Sequence, residues 1–294
     1  MMHRDDVKRE RFIALLGALA VFASAFCFYM STTVIRWSQE RTVIDPAFFV
    51  FARFLLGFGV VCAVQATGKG RVRPRNLHLL IGRAIANTVA VYCFYKSVDL
   101  TSVAEANILN MTYPLFIALF SWFFLRDQRD RVATVAVVVA FAGVWLILSP
   151  GRVGVNLNNL WGLASGIFAA AAIIYLNLSR RQHDTHTILA FMFGVGGLLV
   201  LVIFHDRFFI PNSLELAYLA ACSAFGIGGQ YLLTVGFRYV SAVEGSVISS
   251  TRILLAALCG PFLVGEPALG LAGWLGAILL FAANVVLAVR KVRY

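Results

Sequence analysis

One cation stands where an apolar chain should tolerate none. Arg252 sits near the midpoint of the stretch 242–263, AVEGSVISSTRILLAALCGPFL, too deep to reach water at either end. An arginine at the centre of a membrane-crossing helix costs at least ~2.5 kcal/mol, so it must face protein or an aqueous cavity. It then needs an anionic or carbonyl partner. One solution is a structural ion pair or a carbonyl-capped guanidinium. The other is a cavity guanidinium whose planar fork grips a carboxylate or phosphate of a substrate. The sequence leaves both open.

The surroundings of Arg252 are duplicated. Ser102 to Asp127 (SVAEANILNMTYPLFIALFSWFFLRD) aligns without a gap on Ser241 to Glu266 (SAVEGSVISSTRILLAALCGPFLVGE). Glu105 then matches Glu244, Thr112 matches Thr251, and Tyr113 matches Arg252. A cation and an aromatic at related positions suit an amphipathic anion or zwitterion. Glu105 and Glu244 are intramembrane carboxylates at first sight, open to a proton or substrate role. Their Ser-x-x-Glu spacing also fits a capping box, which satisfies orphan N–H groups at a helix start. Asn110 and Pro114 are four apart, so the proline frees a carbonyl around Asn110. Asn87, Tyr92, Tyr95, Asn110, Thr112 and Tyr113 are one polar and aromatic set; Asn177, Gln230, Tyr231 and Thr251 are its counterpart in the second half. Singly each reads as helix–helix glue; together they can line a substrate cavity. Arg53 and Arg83 lie within two turns of their helix starts, where local pairing accounts for the first and snorkelling for the second.

The elements that position these residues follow from composition. The chain has 294 residues, 60% hydrophobic and 13% charged, with a mean hydropathy of +0.83. Soluble domains carry about a quarter of their residues charged, so this chain is no water-soluble globule. Apolar stretches near 12–35, 46–66, 77–97, 102–125, 131–149, 159–178, 187–204, 213–235, 242–263 and 268–290 each approach the roughly 20 residues that span a bilayer. The sequence therefore predicts an all-α polytopic membrane protein of ten transmembrane helices. Two five-helix units, 1–150 and 151–294, follow from the repeat. Five is odd, so the second unit must be inverted relative to the first.

Charge distribution sets the orientation. With a cytoplasmic N-terminus, the opposite loops carry only Arg36, Arg41, Arg152 and Arg207, as many as the N-terminal segment alone (Arg4, Lys8, Arg9, Arg11). That asymmetry puts both termini in the cytoplasm and explains the net charge of +11 without nucleic acid. The implied partners are a small-molecule substrate and membrane lipid, with a homodimer left open. The five cysteines form no metal or disulfide pattern, His183 and His186 lack a third ligand nearby, and no cofactor is signalled. The loops are too short for a soluble catalytic domain. No Walker sequence is present, and neither a GxSxG nor an HExxH motif supports a membrane enzyme.

Several motifs are more specific. The polar-small start at Ser102, Thr112-x-Pro114 and the acidic residue after the apolar run resemble helix four of the drug/metabolite transporter superfamily, in its EamA-type ten-helix branch. Val264-Gly265-Glu266-Pro267 is similar to the ending of that family's ninth helix, and Phe51-x-Arg53-Phe54-Leu55-Leu56 to the start of its second. The resemblance covers essentially the whole chain, departing at Arg252-Ile253, where many relatives carry another residue followed by proline. It implies a secondary transporter, here in a bacterial cytoplasmic membrane, working by alternating access. An amino acid or related amphipathic carboxylate is the favoured substrate; a nucleotide-like or flavin-like metabolite or an exported drug is the alternative.

Overall fold

The computed structural model describes residues 4–67, 72–124, 131–148, 156–240 and 242–291. Among them every regular element is helical. In chain order these are α1 (Arg4–Gln39), α2 (Pro46–Ala66), α3 (Leu77–Leu100), α4 (Val103–Asn110), α5 (Tyr113–Phe124), α6 (Arg131–Leu148), α7 (Asn159–Ser179), α8 (Thr185–Phe204), α9 (Ser213–Tyr239), α10 (Ala242–Leu263) and α11 (Leu271–Lys291). A single 3₁₀ turn, His205–Arg207, follows α8.

Helix starts carry the local chemistry that the backbone requires. Asp45 caps α2, accepting from the Ala47 N–H at 2.8 Å, and Pro46 occupies the first turn, where no amide donor is needed. Asp184 caps α8 by accepting from the Thr187 N–H. Asn212 and Glu215 form a reciprocal capping box on α9. Ser102 caps α4, its Oγ accepting from the Glu105 N–H at 3.0 Å.

Six helical segments are long and apolar enough to cross a membrane, within α1, α2, α3, α7, α8 and α9; shorter apolar helices lie in α6, α10 and α11. The stretch 102–125 is not one helix. It breaks at Met111–Thr112 into α4 and α5, because Pro114 has no N–H for the Asn110 carbonyl and its ring clashes there. Thr112 closes the break locally, donating its N–H and its hydroxyl to the Leu109 carbonyl at 3.1 and 2.7 Å. Asn284 of α11 donates to the freed Met111 carbonyl at 3.2 Å. Exposed apolar side chains such as Phe12, Leu15, Leu19, Leu198 and Val202 present the surface that lipid covers.

Neighbouring helices repeat the internal duplication. Matching α1 with α7, α2 with α8, α3 with α9, α4–α5 with α10 and α6 with α11 maps the main contacts onto themselves. The packing of α1 on α9 becomes that of α7 on α3, and α2 on α9 becomes α8 on α3. Contacts of α1 with α10 become those of α7 with α4 and α5. The pairs α2–α8, α4–α10 and α6–α11 each join a helix to its own counterpart.

Candidate functional site

A cavity of about 90 Å³ lies where these counterpart helices meet, lined from α1, α2, α3, α4, α5, α7, α9 and α10. Asn110 and Tyr113 from the first copy and Ser249 and Arg252 from the second all line it. By the alignment of the two copies, these are matched positions. Arg252 is 4% exposed, and its Nη2 donates to the Asn110 side-chain oxygen across the repeat boundary. Its guanidinium also stands over the Phe94 ring at 5.1 Å and the Phe28 ring at 5.7 Å. Its neighbours are thus a neutral amide and two aromatic faces, which stabilise a cation without neutralising it.

Two further arginines line the same cavity. Arg53 and Arg83 are each 2% exposed, so neither snorkels to a surface. Arg53 donates to the Tyr95 hydroxyl at 3.1 Å and the Gln230 side-chain oxygen at 3.4 Å, and it shares the Phe28 ring with Arg252 at 5.4 Å. Tyr95 is itself anchored by Ser31 at 2.9 Å. Gly226 makes room for this arrangement. A Cβ there would lie 2.7 Å from Arg53 Cδ and 2.8 Å from its Nε.

The Nε atoms of all three arginines and Nδ2 of Asn87 are buried without hydrogen-bond partners. Among the described residues that line the cavity there is no carboxylate. Three buried cations therefore face polar donors and aromatic walls, with room for an anion among them.

The structure gathers some of the sequence candidates here and not others. Asn87, Asn110, Tyr113, Gln230 and Arg252 line the cavity, and Tyr95 holds Arg53 from behind. Thr112 and Thr251 turn their hydroxyls to the carbonyls three residues back, Leu109 and Ile248, at 2.7 and 2.6 Å. Tyr92 stacks on Phe204 at 4.7 Å, while Asn177 and Tyr231 are half-buried outside the lining. Glu105 is half-buried in the first turn of α4, away from the cavity. Ser241, Asp127 and the side chain of Glu244 lie outside the described residues. Arg53 and Arg83 are what helix position alone failed to single out. The available signal was the run Arg83, Asn87, Phe94 on one face of α3, which puts a cation and an amide on a helix side otherwise suited to packing.

A second polar cluster ties the end of α1 to the α10–α11 turn. Gly265, in left-handed backbone at φ 68°, turns the chain so that Glu266 faces back to α4. Both Glu266 carboxylate oxygens accept from the Val103 N–H at 3.0 Å, and Oε1 pairs with Arg36 Nε at 3.1 Å. Trp37 Nε1 donates to the Leu263 carbonyl at 2.7 Å beside them. Lys96 and Asp99 pair locally at 2.8 Å. At the opposite helix ends, His183 Nε2 accepts from the Arg75 N–H at 3.1 Å, leaving Nδ1 to donate to the Ser179 carbonyl at 3.0 Å. Its ring is thereby committed to the backbone.

The sequence profile of the EamA-like transporter family matches this chain twice, over residues 15–149 and 156–289. Pseudopaline exporter CntI of Pseudomonas aeruginosa is 24% identical over 240 residues, covering 81% of this chain and 83% of its own. A riboflavin transporter of Rhizobium johnstonii is 22% identical over 299 residues, covering 99% and 97%. A crystal structure superposes with a TM-score of 0.64 at 20% identity, over 94% of this chain and 98% of its own, which shows the fold. The chain is an integral membrane protein that transports small molecules and is not an enzyme; it belongs to the EamA-like transporter family.

Proposed function

We propose that this protein is a secondary transporter of a compact organic anion, an amino acid or related amphipathic carboxylate, moved by alternating access between residues 1–150 and 151–294. In this reading ten spans form two inverted five-helix units, with both termini on the cytoplasmic side of a bacterial cytoplasmic membrane. The observation that carries it is Arg252. It is buried in a cavity shared by both copies, bonded to Asn110, with no carboxylate among the described lining residues to cancel its charge. A bidentate anion completes that site. Three lining arginines disfavour an organic-cation drug.

Uptake into proteoliposomes by a panel of amino acids and organic acids tests the reading, and saturable flux of at least one carboxylate is expected. Arg252→Lys, Arg252→Gln and Arg252→Ala should keep a monodisperse elution profile and lose uptake. Lys fails with the others because it offers a point charge in place of the fork. If no acid is transported, or if Arg252→Ala transports normally, the substrate class is wrong.

A further inference from the structure

The three cavity arginines are not gathered at one point. Arg83, Asn87, Val91 and Phe94 follow one another at three- and four-residue steps along the α3 face that lines the cavity. Between the first and the last of them α3 climbs about three turns, roughly 16 Å. Arg252 stands over Phe94, at one end of this stripe. Arg83 is at the other end. Arg53 lies within electrostatic reach of both, next to Arg252 on the shared Phe28 ring. Each end also has its own neutral hydrogen-bonding group, Asn110 beside Arg252 and Asn87 one turn from Arg83. The amide nitrogen of Asn87 and Nε of Arg83 are buried with no partner.

We infer that the cavity takes a dianion whose two anionic groups are separated by a short carbon chain. One group is held by Arg252 with Asn110, the other by Arg83 with Asn87, and Arg53 lies between them. This rests on the carboxylate reading above and narrows it. A monocarboxylate satisfies one end and leaves the other arginine uncompensated, and a buried unpaired charge is costly. Inorganic phosphate carries two charges but presents them at one place. With each end closed by a charge-assisted bond of about 2.8 Å, several carbon atoms fit between the anionic groups.

The test uses the purified full-length protein in detergent and a ladder of α,ω-dicarboxylates from malonate to suberate, each paired with its half-amide, with inorganic phosphate as a compact dianion. Affinity is read from the shift of the thermal unfolding midpoint with concentration. Expected is a preference for the longer diacids over their half-amides of at least about tenfold, absent for malonate, with phosphate bound more weakly than the longer diacids. Arg83→Gln should reduce that ratio to near one. Half-amides binding as tightly as diacids, or phosphate binding as tightly as the longer diacids, overturns the dianion while leaving the carboxylate reading in place. If neither diacids nor half-amides bind, both readings fall. Should Arg83→Gln not fold, the ladder on the unaltered protein decides alone.

Discussion

A buried guanidinium keeps its orientation only through the groups that take its N–H bonds, and Arg53 shows how few those are. Tyr95 and Gln230 accept from it, Phe28 lies under it, and Gly226 leaves the space its stem crosses. Tyr95→Phe removes one acceptor and keeps the ring. The lost hydrogen bond is expected to cost about 0.5–1.5 kcal/mol, read as up to about a tenfold loss of anion affinity with an unchanged elution profile. Gly226→Ala should cost more, about 1–3 kcal/mol of overpacking, because its Cβ meets the Arg53 stem itself. A thermal midpoint equal to that of the unaltered protein would contradict this. Arg252 was legible in the sequence because a charge halfway along an apolar run has no surface to reach. Arg53 and Arg83 were not, since a cation within two turns of a helix start can reach water. What gives Arg53 its inward place is the room left at Gly226 and the ring of Phe28, and neither is adjacent to it in the chain. Thr112 and Thr251 stand outside the lining for a local reason: a threonine hydroxyl readily bonds the carbonyl three or four residues back.

Two helix ends in this protein are closed in part by residues from the other half of the chain. The α4 start has its own Ser102 cap, yet the Val103 N–H goes to Glu266, which follows α10 and also pairs with Arg36 of α1. One carboxylate thus joins three helices at the end where α1 and α10 finish. Glu266→Ala leaves a buried N–H unsatisfied and removes the ion-pair partner of Arg36, and about 1–3 kcal/mol of destabilisation is expected. Gly265→Ala puts a Cβ on left-handed backbone and should cost about 1–2 kcal/mol. Because Gly265 exists to aim Glu266, the double variant is expected to lose less than the two single losses together, measured by chemical unfolding in detergent. Full additivity would mean that the turn and the carboxylate act independently. The repeat alone matched Glu266 with Asp127 and marked the α4–α5 proline. That Glu266 caps a helix in the opposite copy depends on how the two copies pack, which no local pattern encodes. The break at Met111–Thr112 was half visible, since Pro114 announces a freed carbonyl but not that Asn284 answers the one at Met111.

For the molecule as a whole, the charge inside the cavity decides what can be coupled to transport. Proton-driven carriers need a group in the pathway that gains and loses a proton as access alternates, and intramembrane carboxylates serve this in pumps and transporters. Here the lining residues that could carry charge are arginines, which stay protonated through the physiological range. The Glu105 carboxylate sits at a helix start outside the lining, and that of Glu266 is engaged with Arg36 and the α4 amide. An empty cavity with three cations pays a desolvation penalty that a bound anion relieves, so the loaded carrier should reorient more readily than the empty one. Exchange of one anion for another follows from that difference. Vesicles preloaded with a transported acid are therefore expected to take up the labelled acid several-fold faster than empty vesicles, a rate ratio of fivefold reflecting only about 1 kcal/mol between the loaded and empty barriers. A proton gradient imposed at a pH where the substrate is fully ionised should add nothing. Accumulation driven by the gradient in empty vesicles, with no stimulation by preloading, would show that a titrating group outside the described lining carries the coupling and that the arginines serve binding alone.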